Sequence, residues 1–192
     1  GNIGFFSPRT NIFNVGYARK FSSSIYGGIN FKVISENISN LKANGIAIDA
    51  GIRYVTGEND QLKFGIALKN VGPVMRYKGD GLSQQVEYTS TGFIASLEER
   101  SATFEMPSLL CIGGSYDFIF NESNKLNLAL GFTANSFSND QYRLGLDYGM
   151  TNDKMAFNLR AGYVYEKNLL NVENRSNALI GPSAGFSIDA LV

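Results

Sequence analysis

Leu126-Asn127-Leu128-Ala129-Leu130-Gly131-Phe132-Thr133 decides the fold class. Every second residue is large and apolar, and the residues between are Asn, Ala, Gly and Thr. Successive side chains of an extended strand point to opposite faces, so this stretch has one apolar face and one small, polar face. In a soluble sheet, the face turned away from the core favours bulky solvated residues such as Lys, Glu and Thr. Small and self-satisfying residues opposite an apolar stripe are instead the pattern of a strand with lipid on one side and a crowded polar lumen on the other.

The alternation recurs along the chain. Ile29, Phe31 and Val33 alternate with Asn30 and Lys32. Ile46, Ile48, Ala50, Ile52 and Tyr54 oppose Ala47, Asp49, Gly51 and Arg53, and Leu62, Phe64, Ile66 and Leu68 oppose Lys63, Gly65, Ala67 and Lys69. Tyr142, Leu144, Leu146 and Tyr148 oppose Arg143, Gly145, Asp147 and Gly149, while Met155, Phe157, Leu159 and Tyr163 oppose Asn158, Arg160 and Gly162. With 11–20, 108–118 and 178–192 this makes about nine strands joined by hairpins. The expected class is all-β, a transmembrane antiparallel up-and-down β-barrel, with residues 1–192 as a single domain. No run of eighteen apolar residues exists for a transmembrane helix.

Connection lengths alternate. Short turns are expected at 21–24, 56–60, 120–124 and 151–154, and longer connections at 37–44, 72–107, 136–140 and 166–177. Outer-membrane barrels keep short turns in the periplasm and long loops outside, which orients every strand and makes 72–107 an extracellular insertion. An odd strand count leaves an unpaired edge, which lipid does not tolerate, so further strands are expected before Gly1.

Composition narrows the function. Lys plus Arg and Asp plus Glu each total 17, with no histidine and one cysteine. A formal net charge of zero argues against nucleic-acid binding. A lone Cys111 without histidine offers neither a zinc site nor an activated nucleophile, so no catalytic residue, metal or cofactor is expected, and the chain is read as a non-enzyme. Charges on the small-residue face are Lys32, Glu36, Asp49, Arg53, Lys63, Lys69, Asp117, Arg143, Asp147, Arg160 and Asp189. Their near balance of sign points to a salt-bridged network bracing the lumen rather than a selectivity lining, because buried charges must be paired. Asn70-Val71-Gly72-Pro73 reads as a strand terminator, since Pro73 removes a ladder donor and Gly72 permits unusual backbone angles.

The 72–107 stretch is too long for a passive link. It mixes Met75, Arg76, Tyr77, Tyr88, Phe93, Ile94 and Phe104, a composition enriched at protein interfaces. Two readings are open: a partner-binding surface carried by Arg76, Tyr77, Tyr88, Phe93, Ile94 and Phe104, or a hairpin extension folded over the barrel mouth.

Several motifs resemble the PorV/PorQ family of outer-membrane proteins: Ser7-Pro8, Gly16-Tyr17-Ala18-Arg19-Lys20-Phe21, Gly27-Gly28-Ile29-Asn30-Phe31-Lys32, Ile48-Asp49-Ala50-Gly51 with Tyr54 and Thr56-Gly57, and Lys69-Asn70-Val71-Gly72-Pro73. Leu144-Gly145-Leu146-Asp147-Tyr148 and Leu159-Arg160-Ala161-Gly162-Tyr163 extend the likeness. The resemblance implies a FadL-like barrel of fourteen strands in a full protein, located in the cell outer membrane. It also implies a role in type IX protein secretion, binding or shuttling secreted cargo through the cargo's C-terminal domain, or joining a translocon subunit. A FadL-like transporter of small hydrophobic molecules and a structural subunit of a surface complex are the alternatives.

Overall fold

The computed structural model describes residues 7–88, 93–152, 154–167 and 180–190. Its strands are β1 (Arg9–Lys20), β2 (Ile25–Ile38), β3 (Leu41–Thr56), β4 (Leu62–Val71), β5 (Met75–Arg76), β6 (Ser83–Tyr88), β7 (Phe93–Glu98), β8 (Thr103–Phe104), β9 (Leu109–Asn121), β10 (Asn124–Asn135), β11 (Gln141–Asn152), β12 (Met155–Glu166) and β13 (Gly181–Ala190). Nine of them form one antiparallel sheet in the order β1-β2-β3-β4-β9-β10-β11-β12-β13. The all-β class and the nine strands agree with the periodicity. The sheet is not closed into a barrel: β1 and β13 stand at its two ends.

The insertion between β4 and β9 holds two small two-stranded sheets, β5 with β8 and β6 with β7. The short turns expected at 21–24, 56–60, 120–124 and 151–154 fall between β1 and β2, β3 and β4, β9 and β10, and β11 and β12. The longer connection expected at 37–44 is corrected: β2 and β3 meet through Ser39-Asn40 alone, with Ser39 in the left-handed region at φ 52°. Asn and Ser clustered there mark a tight hairpin turn rather than a loop, and the strands run to 14 and 16 residues. The added length lets the Lys42 and Lys78 backbones exchange hydrogen bonds of 2.8 and 3.0 Å. Of the connection expected at 166–177, Glu166 closes β12, and 168–179 lie outside the described residues.

Backbone packing divides the chain into two units. One comprises the described residues up to Gly16 with Asn30–Asp49 and Asn70–Met106; the other comprises Tyr17–Ile29, Ala50–Lys69 and the described residues from Pro107 onward.

In the second unit the register sorts the side chains by face. Phe64, Gly114, Leu130, Leu144 and Tyr163 lie on one row across five strands. The adjacent row runs Gly65, Gly113, Gly131, Arg143 and Val164. A one-residue slip would exchange the two faces entirely. The apolar face is the exposed one: Leu130 is 59% and Phe186 72% accessible, and Ile52, Phe64, Ile66, Ile112, Leu144 and Leu159 are exposed with them. Each such side chain left in water forgoes about 1.5–3 kcal/mol.

The first unit keeps the same exposed apolar face, with Phe31, Val33, Ile46 and Ile48 accessible, but its small-residue face is covered. Its core is Ile34, Ala43, Ala47 and Met75, with Tyr77, Phe104 and Met106 packed against it. Ile34, Ala43 and Ala47 lie on the small-residue face of β2 and β3, so the stem of the insertion covers that face. Gly45 makes the fit possible: a Cβ there would stand 2.1 Å from the Met75 Sδ. Gly72 is required for a similar reason, because its Cβ would fall 2.1 Å from the Ile46 carbonyl oxygen. Among the described residues no helix is long and apolar enough to cross a membrane, which leaves crossing by strands untouched.

Candidate functional site

The expected lumen charges sit on the small-residue face, and six of them pair. In the first unit the Lys32 Nζ lies 2.7 Å from the Asp49 Oδ2 and donates to Oδ1 at 2.8 Å. Asp49 also accepts from the Asn30 Nδ2 at 3.2 Å and from the Asn70 backbone N–H at 2.8 Å. Lys32 donates in turn to the Asn70 Oδ1 at 2.7 Å. Asn70 reaches both partners from a left-handed conformation, φ 59°, which Asn tolerates better than most residues. The strand terminator is therefore also a clamp on the Lys32–Asp49 pair.

In the second unit Lys63 pairs with Asp117, and the Asn127 amide donates to the other Asp117 oxygen. Arg160 and Asp147 face each other in the β11–β12 register, with the Nε 3.0 Å from Oδ2. Both are more than a third exposed, so this pair is worth at most about 1 kcal/mol. Lys69 and Asp189 are exposed and make no ion pair among the described residues.

Arg53 and Arg143 differ from the rest. Arg143 donates from Nη1 to the Thr133 Oγ1 at 2.8 Å and from Nη2 to the Gln141 Oε1 at 2.6 Å. Both acceptors are neutral. Gln141 then donates to Glu166 at 3.0 Å, and the fully buried Glu166 also accepts from the Asn139 amide at 3.3 Å. Arg53 is exposed, and its side chain makes neither a hydrogen bond nor an ion pair among the described residues. A cavity of about 820 Å³ lies over this part of the second unit. Gly51, Gly65, Gly113 and Gly131 floor it, and Arg53, Lys63, Cys111, Ser115, Thr133 and Arg143 reach it.

The six residues of the insertion divide. Tyr77 and Phe104 stack with ring centroids 5.2 Å apart and planes 22° off parallel. The Tyr77 hydroxyl donates to the Glu36 Oε2 at 2.7 Å. That carboxylate, with burial adding in the same direction, holds the phenol above its ordinary value of 10.0. These two rings fasten the stem rather than face outward. Arg76 is exposed beside buried Met75. Ile94, on β7, is 59% accessible, and Leu97 is exposed with it. Tyr88 and Phe93 pair at the end of the β6–β7 ladder, and their side chains lie outside the described residues.

Periodicity missed five neutral members of the network and the buried carboxylate of Glu166. Asn30, Asn70, Asn127, Thr133, Gln141 and Glu166 became visible only when register placed them beside a charge. Cys111 lies half-buried, taking a long 3.9 Å contact from the Thr133 hydroxyl. Among the described residues no group of three His, Cys, Asp or Glu side chains could hold a metal ion.

No protein-family model matches the chain, and no curated protein matches it.

Proposed function

We propose that this chain forms part of the wall of an outer-membrane β-barrel, and that its insertion holds a protein partner at the membrane surface. The observation that carries the reading is the inversion of faces in the nine-stranded sheet. Its exposed face bears Ile, Leu, Phe and Tyr, while its opposite face bears glycines, alanines and paired charges. Contiguous apolar surface beyond a few hundred Å² marks a membrane or protein contact. The free ladders at β1 and β13 need partners in lipid, from further strands or a second copy.

Within the insertion the stem packs against β2 and β3, whereas β6 and β7 pair with each other. A lone two-stranded hairpin is marginally stable in water. With Ile94 and Leu97 exposed, it suits capture of a partner by edge pairing supplemented by apolar contacts. The PorV/PorQ resemblance narrows the partner to a secreted cargo's C-terminal domain or a translocon subunit of type IX secretion. The test is co-purification of the detergent-solubilised chain with each candidate. Capture that is weakened by Ile94→Asp with Leu97→Asp supports the reading; recovery of neither candidate refutes it.

A further inference from the structure

The cavity over the second unit carries a property that the barrel reading does not use. Gly65, Gly113 and Gly131 are consecutive cross-strand partners on β4, β9 and β10, and Gly131 is paired with Arg143 on β11. At the other end, Gly51 on β3 stands against Ala67, its Cβ position 3.2 Å from the Ala67 Cβ. Antiparallel counting from that contact sets Arg53 beside Gly65. One row across five strands thus reads Arg53, Gly65, Gly113, Gly131, Arg143. Unlike Gly45 and Gly72, the glycines at 65 and 131 are not forced by close packing. A Cβ at either would meet nothing nearer than 3.7 Å, so their bareness leaves open space.

The charge of this space is one-sided. Its lining includes Arg19, Lys20, Arg53, Lys63 and Arg143 and no Asp or Glu. Lys63 is balanced by Asp117, whereas Arg143 meets only neutral acceptors and Arg53 meets none. Four inter-strand steps of about 4.8 Å separate the two arginine backbones by roughly 19 Å. The Arg143 guanidinium already leans one strand inward, onto Thr133 of β10. An equal reach by Arg53 leaves about 10 Å between the guanidinium groups, centred on Gly113. An oxyanion held on each side by a charge-assisted hydrogen bond of about 2.8 Å fits that gap.

We propose that this trough binds the oxyanion of a hydrophilic solute, a phosphate group above all, between Arg53 and Arg143 over the glycine floor. The small and polar side chains of Ala67, Cys111, Ser115 and Thr133 share the trough with the glycines. The inference is independent of what covers the apolar face.

The test uses the full chain in detergent, titrated calorimetrically with inorganic phosphate and with a sugar phosphate at constant ionic strength set by chloride. Cys111, the only cysteine, gives a local readout through its rate of alkylation by a maleimide. Phosphate should bind the wild type and slow alkylation. Arg53→Gln and Arg143→Gln should each weaken binding by about tenfold or more, the loss of a charge-assisted contact. Gly131→Val should abolish binding by filling the floor while leaving both charges in place. Arg53→Gln keeps the test decisive if Arg143→Gln misfolds, since Arg53 supports nothing else. Binding of the sugar phosphate as well as the free ion would identify a phosphorylated solute; binding of the free ion alone would identify phosphate itself. Heat and protection indistinguishable from chloride, or equal affinity in wild type and Arg53→Gln, would overturn the proposal.

Discussion

Leu130→Arg separates a lipid-facing sheet from a soluble one. Leu130 sits midway along the twelve-residue β10, between Gly114 on β9 and Leu144 on β11, and is 59% accessible. If water covers that face, replacing an exposed Leu removes little packing and changes stability by no more than about 0.5 kcal/mol. If lipid covers it, arginine near mid-depth costs about 2–4 kcal/mol, falling to about 0–1 kcal/mol near the interfaces. At 1.4 kcal/mol per tenfold, the folding equilibrium moves by roughly 30- to 700-fold. Phe137→Arg, in the 136–140 connection and equally exposed, is the rim control. The assay is folding into lipid vesicles across a urea series, followed by electrophoretic mobility. The reasoning predicts a large shift for Leu130→Arg and a small one for Phe137→Arg. Equal midpoints for the two variants would refute the assignment of the apolar face to lipid.

Asp117→Ala strips Lys63 and Asn127 of their shared acceptor and should cost about 1–2 kcal/mol, less than a fully buried pair because the site is partly accessible; urea midpoints check it, and Asp117→Asn should recover part of the loss. Met75→Ala empties the stem's anchor, a change worth about 2–5 kcal/mol when a buried Met is truncated, so limited proteolysis should cut within 72–107 while the nine-stranded sheet survives. The Tyr77 phenol is raised above its ordinary value by Glu36, so its stabilisation is complete below about pH 10 and is lost as pH rises through the folded value. Hydrogen-exchange protection of the stem should fall in that alkaline window, and Tyr77→Phe should lack the step. Glu98→Lys with Glu99→Lys, both exposed, should weaken partner capture and remove its sensitivity to salt.

Strand existence and face were legible because the period of two survives wherever both faces have a fixed environment. Leu126 through Thr133 kept that signal through its whole length. The turn at Ser39-Asn40 was misjudged because Asn37, Asn40 and Asn44 have loop composition, while Ile38 and Leu41 carry the strand pattern up to the turn. Polar residues inside the first unit hid a strand extension that the insertion stem pairs with and covers. Parity puts the charged residues on one face, but their pairing depends on register across strands far apart in sequence. Nothing local in Arg53 distinguishes it from Lys63; the difference is that Asp117 stands within reach of one and not of the other. Gly72 was read as strand termination, and the close approach of the Ile46 carbonyl adds a steric demand that no single segment encodes.

The formal charge of zero conceals two opposite local fields. Residues 72–107 contain Asp80, Glu87, Glu98, Glu99 and Glu105 against Arg76, Lys78 and Arg100, an excess of two negative charges. The remaining residues therefore carry an excess of two positive charges. On the small-residue face two carboxylates are saturated: Asp49 takes donors from Asn30, Lys32 and Asn70, and Asp117 from Lys63 and Asn127. Saturated carboxylates hold their partners and leave little field beyond them. Arg53 and Arg143 have no such partner, so their charge projects into the cavity. A whole-chain sum discards this separation, because attraction between groups falls off within about 10 Å at moderate salt. Partner choice is set locally: an acidic hairpin selects a basic protein surface, and a cationic trough selects an anionic solute.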